Sequence, residues 1–254
     1  MGLFDFLNPS SKISDTLDKL VDVAEWGSNE KVQEKAAKKI GKILGRISDV
    51  DRLHAIYQKQ PYKRQAAKEL VLQRYCDVIN GISDVYKLLK YNDFRKYTHT
   101  FSNNASHRIV EILSHCEDEM LLQKILDEDS GFNHDAKGMA KLILTHANMT
   151  TQELLEIAKG KPIMGSCIGA VRLKASEYIN DLKILKNFAF DTDISSDIMI
   201  QSQIKLIKMT NDIKVLEKIK ARTNTLYFFR QEAHMIPVIT LMVEMRIAEL
   251  KGEK

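Results

Sequence analysis

The stretch Thr150 to Asn180, TTQELLEIAKGKPIMGSCIGAVRLKASEYIN, decides how the chain is read, because variants of it can be laid end to end along most of the sequence. Within it Leu154, Leu155, Ile157 and Ala158 form an apolar stripe of period 3.6, and Thr150 stands three residues ahead of Glu153, the spacing of a capping box. Gly160 and Pro162 then punctuate the chain, since glycine tolerates left-handed backbone and proline lacks the amide that a continuing helix needs. Ala170, Val171, Leu173, Ala175, Tyr178 and Ile179 make a second helical run. The predicted unit is a helical hairpin.

A capping residue ahead of an apolar helix recurs at Ser14, Ser48, Ser83, Glu117-Asp118, Thr150, Asn180 and Asn211, at steps of about 30 to 35 residues. The apolar pairs inside the first helices keep the same phase: Leu20 and Val23, Leu53 and Ile56, Leu122 and Ile125, Leu154 and Ile157, Leu185 and Phe188, Leu216 and Ile219. Pro61 and Pro162 each follow the second member of such a pair by five residues. Phase, cap and proline together predict seven tandem units and about fourteen antiparallel helices.

On these residues the chain resembles the HEAT-like and armadillo-like α-solenoids over residues 14–246. The resemblance implies an all-α fold, an α-solenoid of about seven stacked helix pairs, and a binding surface in place of a chemistry. Asp129 and Arg172 are isolated matches to the idealised repeat, most units lacking that Asp and Arg. Residues 1–13 stand outside the repeats as an apolar cap or docking segment, and 247–254 form a polar tail.

Composition agrees with an all-α chain. Of 254 residues 44% are hydrophobic and 28% charged, and 11 Gly and 4 Pro leave little room for long loops. The Asn-Gly dipeptide at Asn80-Gly81 fits a helix end as well as a hairpin. Three widely spaced cysteines, Cys76, Cys116 and Cys167, with no cleavable leader, predict a reduced, cytoplasmic and soluble protein. The longest apolar run, Ile236 to Val243, is too short to span a bilayer.

Charge is concentrated in one place. Residues 31–74 hold twelve Lys and Arg against four acidic residues, a surplus of eight, while the whole chain carries only +4. Lys31, Lys35, Lys38, Lys39, Lys42, Arg46, Lys63, Arg64 and Lys68 are the expected contact residues for an anionic partner, an acidic protein or a nucleic acid. Tyr57, Tyr62 and Tyr75 give little of the aromatic interleaving that single-strand binding needs. The first residues, MGLFDFLNP, offer Leu3, Phe4, Phe6 and Leu7 either as a cap on the first unit or as a docking segment for a membrane surface or a groove on a partner. Trp26, the only tryptophan, is read as a packing residue.

Five aromatics, Tyr86, Tyr91, Phe94, Tyr97 and Phe101, cluster in the third unit and are read as packing beneath an elongated connection. His99, His107 and His115-Cys116, eight residues apart, suit no compact zinc pattern. Pro237 is expected to kink or restart the last helix. No phosphate loop, dinucleotide fingerprint, nucleophile elbow or zinc-protease motif is present, so no catalytic, metal or cofactor residue is assigned. The function expected is a non-catalytic protein-binding scaffold, adaptor or assembly subunit. The alternative is a nucleic-acid-binding HEAT-like protein, including an enzyme of the HEAT-like DNA glycosylase type, whose aromatic pocket Trp26 alone does not supply.

Overall fold

A computed structural model describes residues 9–59, 65–93, 95–128, 132–166, 168–223 and 235–252. Among these there are fourteen α-helices and no strand, only an isolated antiparallel bridge between Ile163 and Ser166. The chain divides into two compact units, residues 1–112 and 113–254, with the division in the last turn of one helix.

In the first unit the helices are α1 (Pro9–Trp26), α2 (Glu30–Gly45), α3 (Val50–Lys59), α4 (Gln65–Asn80), α5 (Val85–Leu89) and α6 (His99–Ser114). The pairs α1/α2 and α3/α4 pack as hairpins, and α1 also packs on α3. In the second unit they are α7 (Glu119–Asp127), α8 (His134–Thr145), α9 (Thr151–Ala158), α10 (Gly169–Tyr178), α11 (Leu182–Phe190), α12 (Ser196–Met209), α13 (Ile213–Thr223) and α14 (Met235–Lys251). Here α7/α8, α9/α10, α11/α12 and α13/α14 pair, and α8, α10, α12 and α14 each touch the next in turn.

The first helix of a pair starts in the same way almost every time. Asp49 accepts the amide N–H of Arg52 (2.8 Å), Asp118 that of Leu121 (3.0 Å) and Asp181 that of Ile184 (3.0 Å). Asp84 accepts from Tyr86 and Lys87, and Asp212 from Lys214. Thr150 and Glu153 form the expected reciprocal capping box. Four residues after each of these caps stands a buried leucine: Leu53, Leu88, Leu122, Leu154, Leu185 and Leu216. Four of these caps stand one residue beyond the expected positions Ser48, Ser83, Asn180 and Asn211. The carboxylate next to each one takes the position because a full negative charge also interacts favourably with the helix N-terminus.

Ser14 is not a helix start. It lies inside α1, described from Pro9, so the boundary expected between residues 13 and 14 is not a helix boundary and Ser10-Ser11 is helical. Pro237 lies in the helix described from Met235 to Lys251, two residues after its first described residue.

Two of the second helices are closed at their C-termini by a cation from the next second helix. Arg74 on α4 donates to the carbonyls of Ile47 (3.0 Å) and Gly45 (3.1 Å) at the end of α2. Lys205 on α12 donates to those of Glu177 (2.7 Å) and Ile179 at the end of α10. Orphaned carbonyls at a helix end are satisfied in this way without a glycine.

The aromatic cluster packs as expected where it is described; Phe94 lies outside the described residues. Phe101 is fully buried against Tyr75 (ring centroids 3.9 Å apart), Tyr57 and His54, and the Tyr75 hydroxyl donates to the Phe101 carbonyl (2.7 Å). The connection from α5 is pinned to α3: Asp51 accepts from the Tyr97 hydroxyl (2.5 Å) and from Lys96 Nζ (2.8 Å), and His54 Nε2 accepts the Thr98 amide N–H (3.0 Å).

In the second unit a tight turn docks on α8. Met164 and Gly165 both have positive φ (50° and 79°), Ser166 Oγ donates to Asp135 (2.8 Å), and His134 Nδ1 lies 3.1 Å from the Met164 carbonyl. A Cβ on Gly138 would sit 2.8 Å from Ser166 Cβ and 2.9 Å from the Ile163 carbonyl oxygen, so this close approach requires glycine. No helix among the described residues is long and apolar enough to cross a membrane.

Candidate functional site

Helix α2 is built from two incompatible faces. Asn29 caps its start by accepting the Val32 amide N–H (3.1 Å), and Gln33 Nε2 donates to the Gly27 carbonyl (3.3 Å), which ties the turn to the end of α1. Ala36, Ile40 and Leu44, each four residues apart, are buried. Lys31, Lys35, Lys38, Lys39, Lys42 and Arg46 are all exposed. At 3.6 residues per turn these six fall within an arc of about 100°, and no apolar or aromatic side chain interrupts it. Arg46 belongs to the face because its backbone remains right-handed helical beyond the last residue of α2.

The charge on this face is largely uncompensated. Lys38 lies 3.7 Å from Glu34, with both side chains well exposed. Such a pair in high dielectric contributes about 0–1 kcal/mol and leaves both groups available to a partner. Lys31, Lys35, Lys39, Lys42 and Arg46 make no ion pair among the described residues.

The other cations of residues 31–74 are dispersed. Lys68 is half-buried on α4, its Nζ 5.5 Å from the Tyr57 ring centroid. Arg74 is engaged at the end of α2. Lys63 and Arg64 lie outside the described residues, as do Leu3, Phe4, Phe6 and Leu7. Of the nine basic residues singled out in the sequence, six are therefore brought together by one helix.

No match to this chain is found among protein-family models, curated proteins or solved structures. Its function is read from its own surface.

Two features near α2 are not evident from the sequence. Trp26 does not pack: it is 82% exposed, because it follows buried Leu17 by nine residues and so projects from the opposite side of α1. A single Trp at the end of a first helix usually packs, and the wheel position of Leu17 and Val21 argues otherwise here. The second is a groove of about 600 Å³ on the other flank of α2, between α1 and α4, lined by Val21, Ala24, Ala37, Gly41 and Leu70, with Glu25 and Glu69 among its walls. Small side chains at Ala24, Ala37 and Gly41 leave this space, a signal visible in the sequence only once the packing partners are known.

A second concavity, of about 570 Å³ in the second unit, is lined by His115, Cys116, His146, Lys174 and Tyr178. His146 stacks on Tyr178 (centroids 3.7 Å apart, planes 11° apart) and its Nδ1–H donates to the Ile143 carbonyl (2.6 Å). Lys174 is paired with Glu177 (2.9 Å). These contacts engage the ring, its Nδ1 and the ammonium within the fold. Among the described residues no three His, Cys, Asp or Glu side chains come together as a metal site.

Proposed function

We propose that the chain is a non-catalytic helical-repeat scaffold, an α-solenoid of the HEAT-like kind with about seven helix pairs, that holds an anionic partner on the cationic face of α2. The repeat reading is supported by the recurring cap with a buried leucine four residues later, and by the succession of second helices in contact within the second unit. The binding reading rests on a single observation: six exposed cations on one arc of one helix, with Glu34 the only acid among the described residues paired to them. Maintaining such a face costs self-repulsion, which a bound polyanion relieves.

Retention on a heparin column tests it. The wild-type chain is expected to elute at markedly higher salt than a variant carrying Lys31→Glu, Lys35→Glu, Lys39→Glu and Lys42→Glu, with unchanged helical circular dichroism in both. Equal elution of the two would mean that the face is merely solvated.

A further inference from the structure

Three properties of the α2 face narrow the class of anion, an inference that rests on the binding reading above. First, the face contains cations only. A stable protein–protein contact needs buried apolar or aromatic anchors at its centre, and none lies on this arc. Second, it is narrow, one helix wide, and flanked on α2 by Glu34, whose carboxylate lies 3.7 Å from Lys38 Nζ. A flat anionic bilayer offers no feature as narrow as this arc, whereas a rod lies along a single line of cations. Third, it is long, about 22 Å from Lys31 to Arg46 at 1.5 Å per residue. A nucleic-acid duplex carries one phosphate per about 1.7 Å of axis counted over both strands, so about thirteen lie within that length, of which those on the near side can meet the six cations.

We infer that the α2 face is a docking site for the phosphate backbone of a nucleic-acid duplex, bound without reading of base sequence. Phosphate contacts fix position but carry no sequence information, and the arc holds none of the Asn or Gln side chains that pair with base edges.

The test uses the full chain and two unrelated 20-base-pair DNA duplexes, followed by fluorescence anisotropy over graded potassium chloride. Both duplexes are expected to bind within about threefold of each other. The logarithm of the binding constant should fall with that of salt at a slope of about −4.5 to −5.4, as five or six neutralised phosphates require. Lys35→Gln and Lys42→Gln should each reduce the slope by about 0.9. Glu34→Gln, which removes the bordering acid, should tighten binding two- to threefold at low salt, a gain that misfolding cannot imitate.

Absence of duplex binding at 50 mM salt, with heparin retention intact and abolished by the charge reversal, would overturn this inference and leave the anionic-partner reading standing. So would binding to anionic phospholipid vesicles with none to duplex, or duplex binding that ignores the α2 substitutions. Loss of both duplex binding and heparin retention would overturn the two readings together.

Discussion

His54 is 6% exposed, and its Nε2 lone pair is the acceptor for the Thr98 amide. Burial holds its pKa below the ordinary histidine value, with the Lys96 charge acting in the same direction and Asp51 opposing. The unfolded chain therefore takes up this proton first as pH falls. Stability contributed by the neutral ring is complete above about pH 6.5 and declines below it, toward the lower folded-state pKa. Thermal melts between pH 7.5 and 5 are expected to show this loss, and His54→Gln, which keeps an acceptor but does not titrate, should flatten the profile in that window. Two glycines make an opposed pair at the same scale. A Cβ on Gly41 meets nothing within 4 Å, so Gly41→Ala should stabilise by about 0.5–1 kcal/mol through helix propensity. Gly138→Ala drives a methyl into Ser166 and the Ile163 carbonyl and should destabilise by about 1–3 kcal/mol. Urea denaturation of the two variants checks both signs.

Among the elements, the helix starts carry the clearest test of phase. Asp49→Ala should destabilise by about 1 kcal/mol, because the Arg52 amide loses its acceptor, while Ser48→Ala should be close to neutral. At the opposite ends, Lys205→Met leaves the Glu177 and Ile179 carbonyls without their donor and should destabilise by about 1–3 kcal/mol in the same urea titration. These cases separate what the sequence makes legible from what it does not. The 3.6 period and the apolar pair Leu53 and Ile56, or Leu185 and Phe188, report helix type directly, because burial of one face dictates them. The cap position is ambiguous wherever two capping residues are adjacent, as at Ser48-Asp49 and Asn180-Asp181, since either side chain has the needed oxygen. Arg74 reads as surface charge until the end of α2 is placed beside it, because a hydrogen bond across 27 residues leaves no local trace. The α2 face was legible in full: its six cations recur with the helical repeat, and only the fate of Lys68 and Arg74 depended on tertiary contacts.

For the molecule as a whole, far-ultraviolet circular dichroism should give a spectrum dominated by helix, and a substantial sheet contribution would overturn the fold. The leucines that follow the caps are the points at which each hairpin is fixed to its surroundings. Leu122→Ala and Leu185→Ala are expected to destabilise by about 2–5 kcal/mol each in urea, the spread reflecting how far each site can collapse. In both compact units the chain alternates between two kinds of connection. From a second helix to the next first helix it takes only a few residues, as over 46–49, 81–84, 179–181 and 210–212, and the cap itself is one of them. From a first helix to its second the described connections differ in length, three residues at 27–29 and five at 191–195. That asymmetry tells an engineer where the polypeptide can be opened. An epitope or fluorescent reporter spliced after Thr192, between α11 and α12, lengthens a connection that has no fixed length. The same insert after Asp181 pushes that cap away from the helix it serves.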